Sequence, residues 1–175
     1  RIAGAFNEIT ERKQAEIALQ ESEQRFRALI EGSGLGIHLS RVSGGRLLIT
    51  APLLKLLGYA TATEIDAVPQ YQLIAANDRE KAAHFRKLAI ENPDEPIEYD
   101  CDFIGKGGRA IPVHVILRKI LWNGEDAIQS TIIDLSRRKK AEQAHIDIER
   151  RFRAIIDNTP SLIYLKDTNS RLLLV

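Results

Sequence analysis

Methionine is absent from these 175 residues, and cysteine occurs once, as Cys101. A lone cysteine excludes an internal disulfide and fits a reducing compartment, so a cytoplasmic location is expected. A chain without methionine, even at its start, is expected to be cut from something longer. No apolar run approaches the ~18 residues needed to span a bilayer, and no signal-peptide pattern is present, so no membrane contact is expected from this segment. Charge of one sign is lacking too. Lys and Arg number 25 against 24 Asp and Glu, a net charge of +1, so no strong field favours nucleic acid or an anionic membrane. Four scattered histidines and one cysteine do not make a zinc site, and no metal is expected. No pair of titratable groups sits in a recognisable catalytic frame, so no catalytic residue and no enzyme activity are expected within this segment.

What is present is an ordinary soluble composition, 44% hydrophobic and 28% charged, and enough length for one domain with extra segments. The chain also repeats itself. "EITERKQAEIALQESEQRFRALIEGSGLGIHL", from Glu8, aligns without a gap on "DLSRRKKAEQAHIDIERRFRAIIDNTPSLIYL", from Asp134. Further on, "RLLIT" (Arg46–Thr50) answers "RLLLV" (Arg171–Val175). The offset, 134 minus 8, is 126 residues, too long for a solenoid unit and right for a whole domain. The expected organisation is a C-terminal strand remnant of a preceding copy over 1–10 and a linker helix over 11–31. A complete copy over 32–136, an exit helix over 137–158 and the first strands of a following copy over 159–175 complete it.

Periodicity supplies the local structure. Glu11 to Glu31 has no Gly or Pro and is rich in helix formers. Ala15, Leu19, Ser22, Phe26 and Leu29 fall at alternating steps of four and three, a short heptad seam. Ala141, His145, Ile148, Phe152 and Ile155 repeat it. Two readings of these seams stay open: an amphipathic helix lying on its own domain, or a parallel dimer helix. After Gly32 the pattern changes. "GIHLSRV" and "RLLIT" flank Ser43-Gly44-Gly45, a hairpin signal. "PLLKLLGY" is a short helix with Thr50 as N-cap and Gly58 as stop. "NDREKAAHFRKLAIENP" is a second helix, with Asp78 at its start and Ala82, Phe85, Leu88 and Ala89 on one face. Three strands come next: "IEYDCDF", "AIPVHVILRKILW" with Pro112 expected to mark an irregularity, and "AIQSTIIDL" after the Asn123-Gly124 turn. Two strands, a run of helices and three strands make an α+β fold with one antiparallel sheet.

From Ser22 to about Ser136 the chain resembles a PAS domain, on matches that occur in order. "RFRALIEGSGLGI" is like the leading helix and first strand, and "LLKLLGY" is like the end of the first core helix. "AANDREKAAHF" is similar to the family's histidine-proline-aspartate-aspartate-arginine segment, with its first two positions replaced. "FIGKGGRAIPV" resembles the phenylalanine-x-x-lysine-x-glycine hairpin, and "IIDLSRRKKAE" the exit motif. Thr50 stands where the family often has asparagine, and Leu135-Ser136 replace isoleucine-threonine. The resemblance implies a PAS fold, a five-stranded antiparallel sheet with helices on one face enclosing a small cavity, flanked by long amphipathic linker helices. It implies a sensory module of a bacterial-type signalling protein, in tandem array and as a homodimer through its linker helices. The effector, a histidine kinase or cyclic-di-nucleotide enzyme, would lie further along the same polypeptide. A PAS domain that only dimerises and spaces is the alternative.

The resemblance makes candidates for the pocket of Ile37, Leu39, Leu54, Leu57, Phe85, Leu88, Tyr99, Cys101, Phe103, Val113 and Val115. Tyr99 and Cys101 would be its only polar handles, which argues against a charged ligand such as a dicarboxylate. His38 and His114 alternate with apolar neighbours and are expected on the opposite face. The resemblance gives the relay to Asp134, Ser136, Arg137 and Arg138, with Asp134 tying strand end to helix start. The helix seam that would pair copies comprises Ala15, Leu19, Phe26, Leu29, Ile148, Phe152 and Ile155.

Several tempting features are better read plainly. "GSGLG" (Gly32–Gly36) follows a helix and precedes a strand, the reverse of a phosphate loop, so it reads as a helix stop. "GKGG" (Gly105–Gly108) lacks Walker spacing. His145 lacks the surroundings of a kinase phosphoacceptor. No cofactor is singled out and none is expected to be covalently bound. Haem is the residual case: some members of the family ligate iron from the helix that carries His84, here at the edge of the apolar face. The flavin-linked cysteine motif is missing, and Cys101 reads as core packing.

Overall fold

Short turns that need positive φ cut the middle of the chain into strands. Asn123 (φ 50°) and Gly124 (φ 82°) both occupy the left-handed region, as a two-residue hairpin turn requires. In this computed structural model the described backbone covers residues 2–158, 165–166, 169 and 171–174. Side chains are described for 13–156, except Ala15, Leu19, Glu23, Phe26 and Arg27, and for Asn169 and Arg171.

The strands are β1 (Gly36–Arg41), β2 (Arg46–Ile49), β3 (Ile97–Ile104), β4 (Ala110–Trp122) and β5 (Glu125–Asp134). They form one antiparallel sheet in the order β2-β1-β5-β4-β3. Between β2 and β3 the chain forms α2 (Ala51–Leu57), α3 (Ala62–Asp66), two 3₁₀ turns (Gln70–Leu73 and Ala76–Asp78) and α4 (Arg79–Glu91). A long helix, α1 (Ile2–Ser33), precedes the sheet. The fold is α+β, as the order of elements implied.

Local chemistry explains the joints. Thr50 has extended backbone angles at the N-cap of α2, and its carbonyl accepts from the N–H groups of Leu53 and Leu54. Its hydroxyl does not cap the helix. Thr50 Oγ1 instead accepts from Ile37 N at 2.9 Å, pinning α2 to β1. Gly58, at φ 80°, closes α2 as a left-handed C-cap. Asp78 opens α4, and its Oδ2 accepts from Asp102 N at 2.8 Å, which fixes α4 to β3.

The register defines the buried face. One row across the sheet reads Gly36, Ile132, Val115, Tyr99, and the next reads His38, Ser130, Leu117, Ile97. A Cβ on Gly36 would lie 3.0 Å from Leu53 Cβ and Cδ1 and 3.4 Å from Ile132 Cβ. Only glycine lets α2 come this close, and the contact identifies this row as the face under the helices. Leu53 and Leu57 of α2, Ile65 of α3, and Ala82 and Ala89 of α4 meet Tyr99, Cys101, Ile111, Val113, Val115, Leu117, Ile128 and Ile132 in the core.

Two expectations need correcting, and some short elements had none. Residues 1–10 were expected as a strand remnant, but the helix runs from Ile2 without a break; a lone strand has no ladder to pair with, whereas a helix bonds within itself. Pro112 does not disturb the sheet: the β3–β4 ladder passes through the Asp102 and Pro112 pair without a register shift. Its carbonyl faces β5 and accepts from Leu135 N at 2.9 Å. Its missing N–H falls on that same side, just where β5 ends, so no ladder bond is lost. Finally, α3 and the 3₁₀ turns were not expected: five residues or fewer are too short to show a repeated apolar face, and the one signal for α3 is its start, where Thr61 Oγ1 accepts from Glu64 N at 3.3 Å.

Ser136–Val175 form a separate compact unit. It contains α5 (Ser136–Asn158) and an antiparallel pair, β6 (Leu165–Lys166) and β7 (Leu172–Leu174). Much of the segment expected to begin a following copy lies outside the described residues.

Candidate functional site

Between the inner face of the sheet and the helices lies a cavity of about 390 Å³. Leu53, Leu57, Leu73, Val115, Leu117 and Ile132 form a buried apolar floor, while exposed Gly44, Gly45, Tyr71, Arg79 and Ala83 mark its mouth. The size suits a small molecule.

Polar groups line it as well. His38 is only 7% exposed and its Nε2 has no protein hydrogen-bond partner. Burial lowers its pKa to about 4, with the charges of Arg46 and Arg86 adding to the effect, so the ring is neutral at neutral pH. Ser130, its cross-strand neighbour, also lines the space. Arg86, half-buried on α4, donates from Nη1 to Ser40 Oγ at 2.9 Å and from Nη2 to the Arg41 carbonyl at 2.6 Å. Arg79 donates from Nε to the carbonyls of Tyr71 (3.1 Å) and Ile74 (3.2 Å), and its guanidinium lies 5.4 Å from the Tyr71 ring centre. Tyr99 stacks on Phe85 at 4.8 Å, and burial raises its phenol pKa above the ordinary range. Burial, with Asp78 nearby, pushes the Cys101 thiol up to about 12. That thiol stays protonated and unreactive.

Of the residues expected in the pocket, Leu57, Tyr99, Phe103 and Val115 line it. Cys101 and Val113 are paired across β3 and β4 in the packed core, and Leu54 and Phe85 pack against that core. Leu88 is half-buried on α4 and does not reach the lining. Ile37 and Leu39 belong to the other side of the sheet. With Ile30, Leu48, Ile120 and Trp122 they line an outer groove of about 580 Å³. The phase of β1 is therefore the reverse of the one expected, and His38 faces the cavity rather than away from it. The cause is that β1 is covered on both faces: its outward side carries the apolar residues, and its inward side carries Gly36, His38 and Ser40. Gly36 was the usable signal, since a small residue in a strand marks a close approach. Tyr99 and Cys101 are consequently not the only polar handles. Gln70, Arg79, Arg86, His38 and Ser130 line the cavity too, and a charged ligand is no longer disfavoured.

His84 is exposed and outside the cavity lining, so α4 offers no imidazole to a haem within it. Among the described residues no group of three or more His, Cys, Asp or Glu could hold a metal ion. His114 lies on the outer face, where Nδ1 is 2.7 Å from Asp100 Oδ1 and Nε2 is 3.3 Å from Glu98 Oε2. Asp134 ends β5 opposite Val113, and Ser136, Arg137 and Arg138 open α5. Leu29, Ile148, Phe152 and Ile155 are exposed; the side chains of Ala15, Leu19 and Phe26 lie outside the described residues. No described helix is long and apolar enough to cross a membrane.

No protein-family model matches the chain, and no curated protein matches it. Solved structures do. The PAS domain of an HTR-like protein from Haloarcula marismortui superposes with a TM-score of 0.60 at 23% identity, covering 70% of this chain and 98% of that one. A sensory box histidine kinase/response regulator from Burkholderia thailandensis gives a TM-score of 0.54 at 18% identity, covering 74% and 98%. The PAS domain of nitrogen regulation protein NR(II) from Vibrio parahaemolyticus gives 0.51 at 13% identity, covering 62% and 95%. With its strand order, its helices on one face and the cavity beneath them, the central part of this chain has the fold of a PAS domain.

Proposed function

We propose that this chain is a sensory module whose cavity binds a small molecule and whose bound state is passed through α5 to an effector domain outside it. The observation that carries this reading is a space with a buried apolar floor, inward polar groups and an exposed rim. A domain that only spaced its neighbours would gain stability by filling such a space. The relay falls to Asp134, where the sheet ends, and to Ser136, Arg137 and Arg138, where α5 begins. The sensor histidine kinase among the similar structures supports a kinase as the effector, and a cyclic-di-nucleotide enzyme would serve the same relay.

A library of small molecules screened by thermal shift against the intact chain tests the pocket. Ligands that raise the unfolding midpoint are expected to lose their effect in Ala83→Trp, which closes the mouth from an exposed position on α4. If no compound shifts the wild type, or if Ala83→Trp responds equally, the cavity is not a sensing pocket.

A second reading has its own observation. Ile148, Phe152 and Ile155 are exposed at heptad spacing on α5, as a parallel dimer helix requires. This reading makes the chain a homodimer, and it is compatible with sensing.

A further inference from the structure

The polar groups of the cavity are unevenly satisfied. His38 is buried on the inner row of β1, and no protein group meets its Nε2. A buried ring nitrogen without a partner carries a desolvation cost. The second group is Arg86. Its bonds go to two neutral oxygens, Ser40 Oγ and the Arg41 carbonyl, and among the described ion pairs none joins it to a carboxylate. Arg46 provides the contrast, held by Asp66 at 2.8 Å. Ser40 lies two residues beyond His38 on the same face of β1, so the strand rise separates the two positions by about 7 Å. A head group of a few atoms can reach both sides of that gap.

We propose that the cavity takes a small organic carboxylate with an apolar body, its head held between the Arg86 guanidinium and His38 Nε2 beside the Ser130 hydroxyl. This rests on the pocket reading above and specifies its ligand. Arg86 supplies the charge and His38 a ring N–H; the neutral ring can place its one proton on Nε2. Arg79 at the mouth adds positive potential along the way in. Leu53, Leu57, Val115 and Ile132 receive the body. The end of the ligand that meets those side chains must be apolar, since a charge there would be buried among Leu, Val and Ile.

Hexanoate against hexanamide, and phenylacetate against phenylacetamide, titrated calorimetrically into the intact chain at neutral pH, test the assignment. The acid of at least one pair is expected to bind about tenfold or more tightly than its amide, since charge-assisted hydrogen bonds are the stronger kind. Arg86→Gln is expected to abolish that preference. Lys87→Gln, at an exposed neighbour paired with Glu91, should retain it. Amides that bind as tightly as acids would overturn the carboxylate assignment and leave the pocket reading standing. A preference that survives Arg86→Gln would also overturn it, because the head would then lie elsewhere. Binding by neither member of either pair overturns the assignment as well; if the library in the thermal-shift screen is silent too, the pocket reading falls with it.

Discussion

His38 and His114 titrate in opposite directions for opposite physical reasons. The folded protein holds His38 near 4, below its ordinary value of 6.5, chiefly by burial. The unfolded chain therefore takes up a proton that the folded one refuses, and stability falls as pH drops from 6.5 towards about 4. The full shift corresponds to about 3 kcal/mol. His114 is raised, first by its hydrogen bond to Asp100 and then by Glu98. Its contribution is fully present below 6.5 and is lost as pH rises through the folded value. Urea titrations of His38→Gln and His114→Gln against wild type, taken at a series of pH values, should show the two differences sloping in opposite senses. Slopes of the same sign would mean that one of the two environments is wrongly described.

At the scale of the element, α2 is the piece whose seat positions the floor of the cavity. Thr50 joins it to β1 through a side-chain bond to Ile37 N and a backbone bond to Ile37 O. Thr50→Val keeps the shape and leaves a half-buried N–H unpaired, which should cost about 1–3 kcal/mol by denaturant unfolding. Thr50→Asn keeps an acceptor and should cost clearly less. Equal losses would show that the hydroxyl contributes only bulk. α2, α4 and the five strands of the sheet were legible in the sequence from their periods and turn residues, the start of α1 was not, and β3 and β4 revealed the correct face through Tyr99, Phe103 and Val115. The inward face of β1 was not legible, because alternation of polarity identifies a face only when the other face is wet. The arginines were missed for a related reason. Arg79 and Arg86 sit on the flank of α4, and periodicity does not say how far a long side chain reaches from there.

Over the whole molecule, the chain divides into two units between Leu135 and Ser136. The first holds all of the buried apolar core found among the described residues. The described elements of the second are one helix and one short antiparallel pair, too little to bury a core of their own. A fragment ending at Leu135 should therefore unfold in one cooperative transition, with a midpoint within a few degrees of the intact chain's. Amide exchange in the intact chain should be slow through β4 and β5 and fast through β6 and β7 at concentrations that disfavour association. A fragment that melts without cooperativity would show that the core depends on α5 and the hairpin beyond it.

Burial on both sides of β1 also governs how the strand would drift under mutation. From Gly36 to Ser40 every residue is buried or half-buried, so a saturation library across it has no permissive column. In β3 the columns alternate from Glu98 to Cys101: Glu98 and Asp100 are exposed, Tyr99 and Cys101 buried. Change at Glu98 or Asp100 loses no more than a contact to His114, while β1 must stay as it is or change together with α2 on one side and the outer groove on the other.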